Sequence, residues 1–303
     1  MKSAFAGYHP AVSFVYFMLV LLFTMFYLHP VFLLCSVLGG FLWNCSLRGK
    51  KTVLKSLVFL LPVLVMAALL NPMFNHEGET VLAVLPTGSL LTLESVLYGL
   101  AAAVMLMAVL NWFSCYHIVM TSDKFMYLFG RVIPATSLVF SMVLRFVPRL
   151  KARFYVVSNA QKCVGRDVSD GKTMDKIRHG VRILSILLTW SLDSAVDTAD
   201  SMRSRGYGLP GRSAFSIYTM EERDRDMLAW MLGLSLYVVM MGFAGATAFA
   251  YFPRLDGGAV NAWSLSAILA WGGLCFTPAA VDWAQRRRWN KDGKEGSGNG
   301  RKA

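Results

Sequence analysis

Charge is scarce in this chain. Lys, Arg, Asp and Glu make up 16% of its 303 residues, where a soluble domain carries about 25%. Apolar residues reach 55%, and mean hydropathy is +0.49. The deficit is uneven: most of the charge lies between Asp123 and Asp226 and after Trp283. That pattern excludes an ordinary soluble domain and predicts an integral membrane protein with one large polar segment.

Other absences narrow the chemistry. The five cysteines, at 35, 45, 115, 163 and 275, form no CxxC pair; they read as free thiols rather than a disulfide framework or a metal site. His76 and His117 flank an apolar run but read as isolated polar residues. The chain has no G-x-x-x-x-G-K-[ST] phosphate loop, so ATP is left to another chain. It has no GxSxG or HExxH motif and no paired Asp at membrane depth, which argues against an intramembrane enzyme. The alternative is a stand-alone secondary transporter. That would show ionisable residues within its spans and repeated halves. The spans here carry almost none beyond Lys55, near the start of the third, and no repeat is visible. No small-residue cleavage site follows the first apolar run, so no cleavable signal is expected. No nucleic-acid module is recognisable, and the net charge of +12 fits basic cytoplasmic loops instead. No cofactor or metal is expected.

A helix needs about 20 residues to cross the hydrocarbon core. Six runs qualify: 11–28, 31–47, 53–70, 93–116, 227–252 and 262–283. His29-Pro30 breaks the first from the second, and Asn71-Pro72 is expected to stop the third. The 73–90 loop holds Glu77 and Glu79 but no Lys or Arg, whereas 48–51, 123–225 and the tail after Trp283 are basic. Six spans with both termini in the cytoplasm satisfy this asymmetry. The expected fold is an all-α integral membrane protein with about six transmembrane helices and a large cytoplasmic helical coupling region. Its expected divisions are a four-span bundle over 1–116, coupling helices over 117–226, a pair of spans over 227–285 and a basic tail over 286–303.

Within 117–226, the run 132–150 carries Arg145 and is apolar for about a dozen residues, too few to span; it is expected as a helix at the cytoplasmic surface, against the bundle or a partner. A second helix is expected over 154–167, ending at Gly165 beside Arg166. A third covers 181–206, with Ile183, Ile186, Leu187, Trp190, Ala195, Ala199 and Met202 on one apolar face. Asp193, Asp197 and Asp200 form a separate stripe, read as a solvated face. Arg203 and Arg205 suit a helix C-terminus, Gly206 suits the left-handed residue that closes it, and Pro210 prevents resumption. Two helices with the same ending suit a protein that meets two similar partners.

These features carry a resemblance. "NPMFNHEGETVLAVLPTGSLLTLESVLYGL" (71–100), "SCYHIVMTSDKFMYLFGRVIPATSLVFSMVLRFVPRL" (114–150) and "LDSAVDTADSMRSRGYG" (192–208) resemble the transmembrane T subunit of energy-coupling factor transporters, the family that includes cobalt-type permease subunits. Its signature is Ala-Arg-Gly at the end of each of two coupling helices. Here Ser204-Arg205-Gly206 resembles the second copy. Cys163-Val164-Gly165, after Ala160-Gln161, aligns with the first, with Val164 at the arginine position. The resemblance implies that these residues, with Met202 and Arg203, bind two cytoplasmic ABC-type ATPases. It also implies a separate S component that captures a vitamin or metal ion, and a bacterial or archaeal plasma membrane as the setting. The apolar run 134–147 either packs on the protein's own spans or, in part, seats the S component through Leu138 and Met142, because a seat for exchangeable partners should be apolar and adaptable.

Overall fold

The computed structural model describes residues 3–75, 78–84, 90–130, 133–165, 173–210, 218–245, 247–257 and 262–299. His76, Glu77 and Arg166, singled out above, lie outside them. The chain divides into two compact units: Met1–Phe125 with Tyr218–Ala303, and Met126–Ile217.

The first unit is built on α1 (Pro10–Phe26), α2 (Pro30–Arg48), α3 (Lys50–Phe74) and α4 (Leu93–Val119). A two-stranded hairpin, β1 (Val81–Val84) and β2 (Leu90–Thr92), separates α3 from α4. The short α5 (Ser122–Gly130) leads out of this unit. The chain returns in α8 (Glu222–Phe243), makes a second small hairpin, β3 (Phe249–Ala250) with β4 (Asp256–Gly257), and ends in α9 (Ala262–Asn299). Among the described residues, five helices (α2, α3, α4, α8 and α9) are long and apolar enough to cross a membrane, and α1 is a shorter apolar helix of 17 residues. The all-α membrane fold is therefore the observed one.

Two boundaries differ from the sequence reading. Pro72 does not stop α3, which runs to Phe74 with both Pro62 and Pro72 inside it. A membrane helix tolerates such prolines when its neighbours accommodate the freed backbone, and α4 lies close here: a Cβ added at Gly99 would sit 2.5 Å from the Ala68 carbonyl oxygen and 3.2 Å from Pro72 Cδ. The fifth span stops at Phe243 rather than 252, because Gly245 turns the chain at φ +76° into β3.

Aromatic residues form the core. Phe5, Tyr16, Phe17, Trp43, Trp112 and Trp271 are almost fully buried in one cluster, with Phe17 stacked on Trp43 at 5.7 Å and Tyr16 edge-on to Trp112 at 5.9 Å. Polar bonds cross between the helices: Asn44 Nδ2 donates to Asn111 Oδ1 at 2.7 Å, and Trp112 Nε1 donates to Ser36 Oγ at 2.9 Å. Such bonds contribute about 0.6 kcal/mol each in membrane proteins, and they fix helix pairing where apolar burial alone gives little direction.

The connections segregate to two ends of this unit. At one end, Tyr251 Oη donates to the Leu28 carbonyl at 2.8 Å, His29 meets Phe249 edge-on, and Arg254 pairs with Glu79. The turns after α1, α3 and α8 are thus gathered together. At the other end, the N-terminal segment meets α5, α8 and α9. Lys124 Nζ donates to the Ala6 carbonyl at 2.6 Å, and the His9 N–H donates to Asp224 Oδ1 at 3.3 Å. Asp282 accepts from Ser3 Oγ at 2.8 Å, from the Phe5 N–H at 3.1 Å and from Trp43 Nε1 at 3.0 Å.

His9 offers a pH test of that end. Its Nδ1 accepts from the Ala11 N–H and so caps α1, which needs an unprotonated nitrogen. Burial pushes its pKa below the usual histidine value and Lys124 acts in the same direction, while Asp224 opposes them. A histidine whose folded pKa is depressed gives stability that is present above the unfolded value and lost as pH falls through the folded one. Thermal unfolding in detergent should therefore drop more steeply below about pH 6.5 in the native protein than in His9→Asn, whose amide oxygen can still cap. Parallel pH profiles for the two proteins would remove His9 from this role.

Candidate functional site

The second unit, 126–217, is made chiefly of two long helices, α6 (Pro134–Cys163) and α7 (Thr173–Ser204). Pro134 sits in the first turn of α6, where its fixed φ favours a start and its missing N–H costs nothing. Pro148 lies inside α6 without ending it. The surface helix expected over 132–150 and the separate one expected over 154–167 are therefore a single helix of 30 residues. A sequence reading treats an internal proline as a boundary; here the helix runs on through Pro148.

The helices meet near their middles. Phe146 of α6 stacks on Trp190 of α7 at 6.1 Å and 16°, and the Arg153 guanidinium lies 5.1 Å from the same indole. Ile183 and Leu187 are buried at 1% and 6% exposure. At a rise of about 1.5 Å per residue, about 26 Å of helix separates Phe146 from Cys163, and about 21 Å separates Trp190 from Ser204. The two predicted motifs thus lie at the ends of comparable arms.

Both motifs end alike. Gly165 and Gly206 take left-handed φ of +73° and +77°, as expected of closing glycines. At the second motif, the Tyr207 N–H donates to the Met202 carbonyl at 3.0 Å and the Gly206 N–H to the Arg203 carbonyl at 2.9 Å. These are the two bonds of a Schellman cap. At the first, the Gly165 N–H donates to the Lys162 carbonyl at 2.9 Å. The helix itself stops at Ser204, so Arg205 is the residue between helix and glycine rather than part of the last turn. Ser204 and Arg205 are exposed, as are Cys163, Val164 and Gly165; Met202 and Gln161 are half-buried. Ala160 and Arg203 are exposed as well.

The faces of α7 differ from the sequence reading. Ile183, Leu187 and Trp190 turn inward, but Ile186, Ala195 and Ala199 are exposed. At about 100° per residue, Ala195 and Ala199 lie about 120° and 160° round from Ile183, on the far side. Val181, Leu184, Leu188, Leu192 and Val196 share that side and are all more than half exposed. So α7 is apolar on two sides, and Asp193, Asp197 and Asp200 occupy the exposed face between them. On α6, Leu138 and Met142 are half-buried, while Val139, Val143 and Val147, at i, i+4 and i+8, are exposed, as are Phe140, Phe154 and Val156.

Comparison with known proteins follows the same outline. A profile of the cobalt transport protein CbiQ matches residues 3–217. The chain belongs to this family. The CbiQ match takes in α1 through α7 and ends where the second unit ends. The chain is also 35% identical over 97 residues to the energy-coupling factor transporter transmembrane protein EcfT of Lactobacillus helveticus, covering 32% of this chain and 35% of that one. To EcfT of Lactococcus lactis subsp. cremoris it is 32% identical over 105 residues, covering 34% and 40%. To EcfT of Streptococcus thermophilus it is 35% identical over 101 residues, covering 33% and 38%. The matching stretch thus spans well under half the length of these curated relatives.

Sequence reasoning missed the cluster at the N-terminal segment. Lys124, Asp224 and Asp282 are buried at 6%, 3% and 4% exposure. Lys124 and Asp224 stand just before the chain leaves the first unit and just after it returns. A charged residue beside an apolar run reads as an interfacial residue, and nothing in the local pattern reveals that each meets Ser3–His9.

Proposed function

We propose that this chain is the energy-coupling transmembrane subunit of an ECF-type ABC importer. In this reading the protein is not itself catalytic. Two cytoplasmic ABC-type ATPases hydrolyse ATP and dock on the ends of α6 and α7, at 160–165 and 202–206. A separate S component selects the substrate, a vitamin or a transition-metal ion, and rests on the exposed apolar sides of α6 and α7. Both termini lie in the cytoplasm of a bacterial or archaeal cell, the 73–90 loop lies outside, and neither a cofactor nor nucleic acid takes part.

The observation that supports this best is the pair of long helices that each finish in an exposed cap closed by a left-handed glycine. An exposed cap with a neighbouring guanidinium can sit in a groove and donate charge-assisted hydrogen bonds to carboxylates or carbonyls there. The second apolar side of α7 supports the S-component contact, since an apolar surface of that extent costs about 25 cal/mol per Å² in water. Affinity purification from detergent-solubilised membranes tests the assignment. Two ABC-type ATPases and a small membrane protein are expected to co-purify. Substrate uptake by the chain alone in liposomes, without ATPases, would make it a secondary transporter and end the proposal.

A further inference from the structure

The first unit carries a groove that neither the coupling caps nor the helix faces described above use. It lies between α2 and α9, at the end of the unit that holds the N-terminal segment. Its volume is about 410 Å³, and its walls are Leu42, Phe276, Ala279, Ala280 and Trp283, with Ser46 and Arg286 at the polar limit. The walls belong to two helices that meet the length and hydropathy of membrane spans. The groove is therefore an apolar channel on a membrane-facing surface, closed at one end by a cation.

The cation is held in place. Arg286 Nη2 donates to Ser46 Oγ at 2.9 Å and to the Ser46 carbonyl at 3.4 Å. Among the described residues these are the bonds of its guanidinium, so Nε and Nη1 still present donors at the mouth. Beside it the Arg287 guanidinium covers the Trp283 ring at 3.5 Å, and Trp283 itself is 56% exposed. Apolar walls, an exposed tryptophan and the Arg286 guanidinium thus follow one another along the groove. That is the order of an acyl chain, a glycerol backbone and a phosphate.

We propose that this groove binds one anionic phospholipid, with an acyl chain along Leu42, Phe276 and Ala280 and its phosphodiester on Arg286. The argument for this occupant is charge complementarity at the place where the apolar part of both helices ends. Arginine pairs with two oxygens of a phosphate in a planar fork. The neighbouring Arg287, over the Trp283 ring, favours a headgroup of net negative charge over a zwitterion, whose ammonium offsets its phosphate. The proposal rests on the membrane fold and is independent of the coupling function, so a failure of either leaves the other standing.

The test uses the full chain purified in detergent and native mass spectrometry. The probes are phosphatidylglycerol, phosphatidylcholine of the same acyl chains, and excess inorganic phosphate. One phosphatidylglycerol is expected to remain bound, at least about tenfold more than phosphatidylcholine, and inorganic phosphate should not displace it. Arg286→Gln should reduce retention by about tenfold. Ala280→Trp, which fills the groove and leaves the charge, should reduce it as far. Retention unchanged in both variants, or equal retention of the two lipids, overturns the proposal. Displacement by phosphate would mark a simple anion site and overturn it too. A photoreactive amino acid at position 280 in cells should cross-link to lipid; a cross-link to a protein chain would show that the groove belongs to a partner.

Discussion

Arg205→Ala is expected to weaken capture of the ATPases by about thirtyfold or more, which corresponds to about 2 kcal/mol. Val164→Ala, at the equivalent place on α6, should change capture little, within about 0.5 kcal/mol. The two positions have the same backbone setting, each one residue before a left-handed glycine. They differ in side chain. Arg205 brings five N–H donors and a fixed charge, whereas Val164 is an apolar side chain left 65% exposed. An exposed cap donates few backbone hydrogen bonds to a partner once its own are spent inside the helix end, as those of Gly206 and Tyr207 are. The specific energy must then come from the side chain. Co-purification of each variant with both ATPases, at matched membrane levels, measures the difference. Equal losses would mean that the backbone shape of the two caps carries the contact and that the arginine adds nothing.

The second large effect is structural and lies at the other end of the chain. Asp282→Ala is expected to destabilise the membrane unit by about 2–5 kcal/mol, since it orphans two buried N–H donors at about 1–3 kcal/mol each. The carboxylate is 4% exposed and accepts from Ser3, Phe5 and Trp43 together. Removing it leaves an indole N–H and a backbone N–H buried without an acceptor, and an unmade buried bond costs more than a made one contributes. It also releases the segment that Lys124 and Asp224 hold at Ala6 and His9. Asp282→Asn should cost less overall, but its amide would face the Trp43 N–H donor to donor if its oxygen stays with Ser3 and Phe5. Combining Trp43→Phe with Asp282→Asn removes that conflict and should recover part of the loss. Thermal unfolding in detergent gives the order: native, then the double variant, then Asp282→Asn, then Asp282→Ala. An Asp282→Ala protein that unfolds at the native temperature would show that the N-terminal segment contributes nothing to the unit.

Some of this was legible in the residues and some was not. The spans were legible because a membrane helix is defined by a continuous apolar length, which needs no knowledge of neighbours. The closing glycines were legible because only glycine takes a left-handed φ at little cost, and both Gly165 and Gly206 do so. The prolines misled the reading: Pro72 and Pro148 are local breakers by propensity, yet both lie inside helices. At Pro72, in a span-length apolar helix against α4, no water takes up a freed carbonyl, so continuing the helix is the lesser cost.

The sequence by itself determined that this is a membrane protein, where its apolar runs lie, where its cationic segments fall and that Gly165 and Gly206 close helices. Composition, charge and φ preference are properties of single residues and short runs, and they act before any tertiary contact forms. Tertiary structure alone decided that the N-terminal segment is gripped by Lys124, Asp224 and Asp282, that α7 is apolar on two sides with only one of them covered, and that α2 and α9 leave a groove ending at Arg286. Each of these depends on which residues, distant in the chain, are brought within a hydrogen bond or a van der Waals contact. Asp282 and Ser3 are 279 residues apart, and no local pattern records that distance.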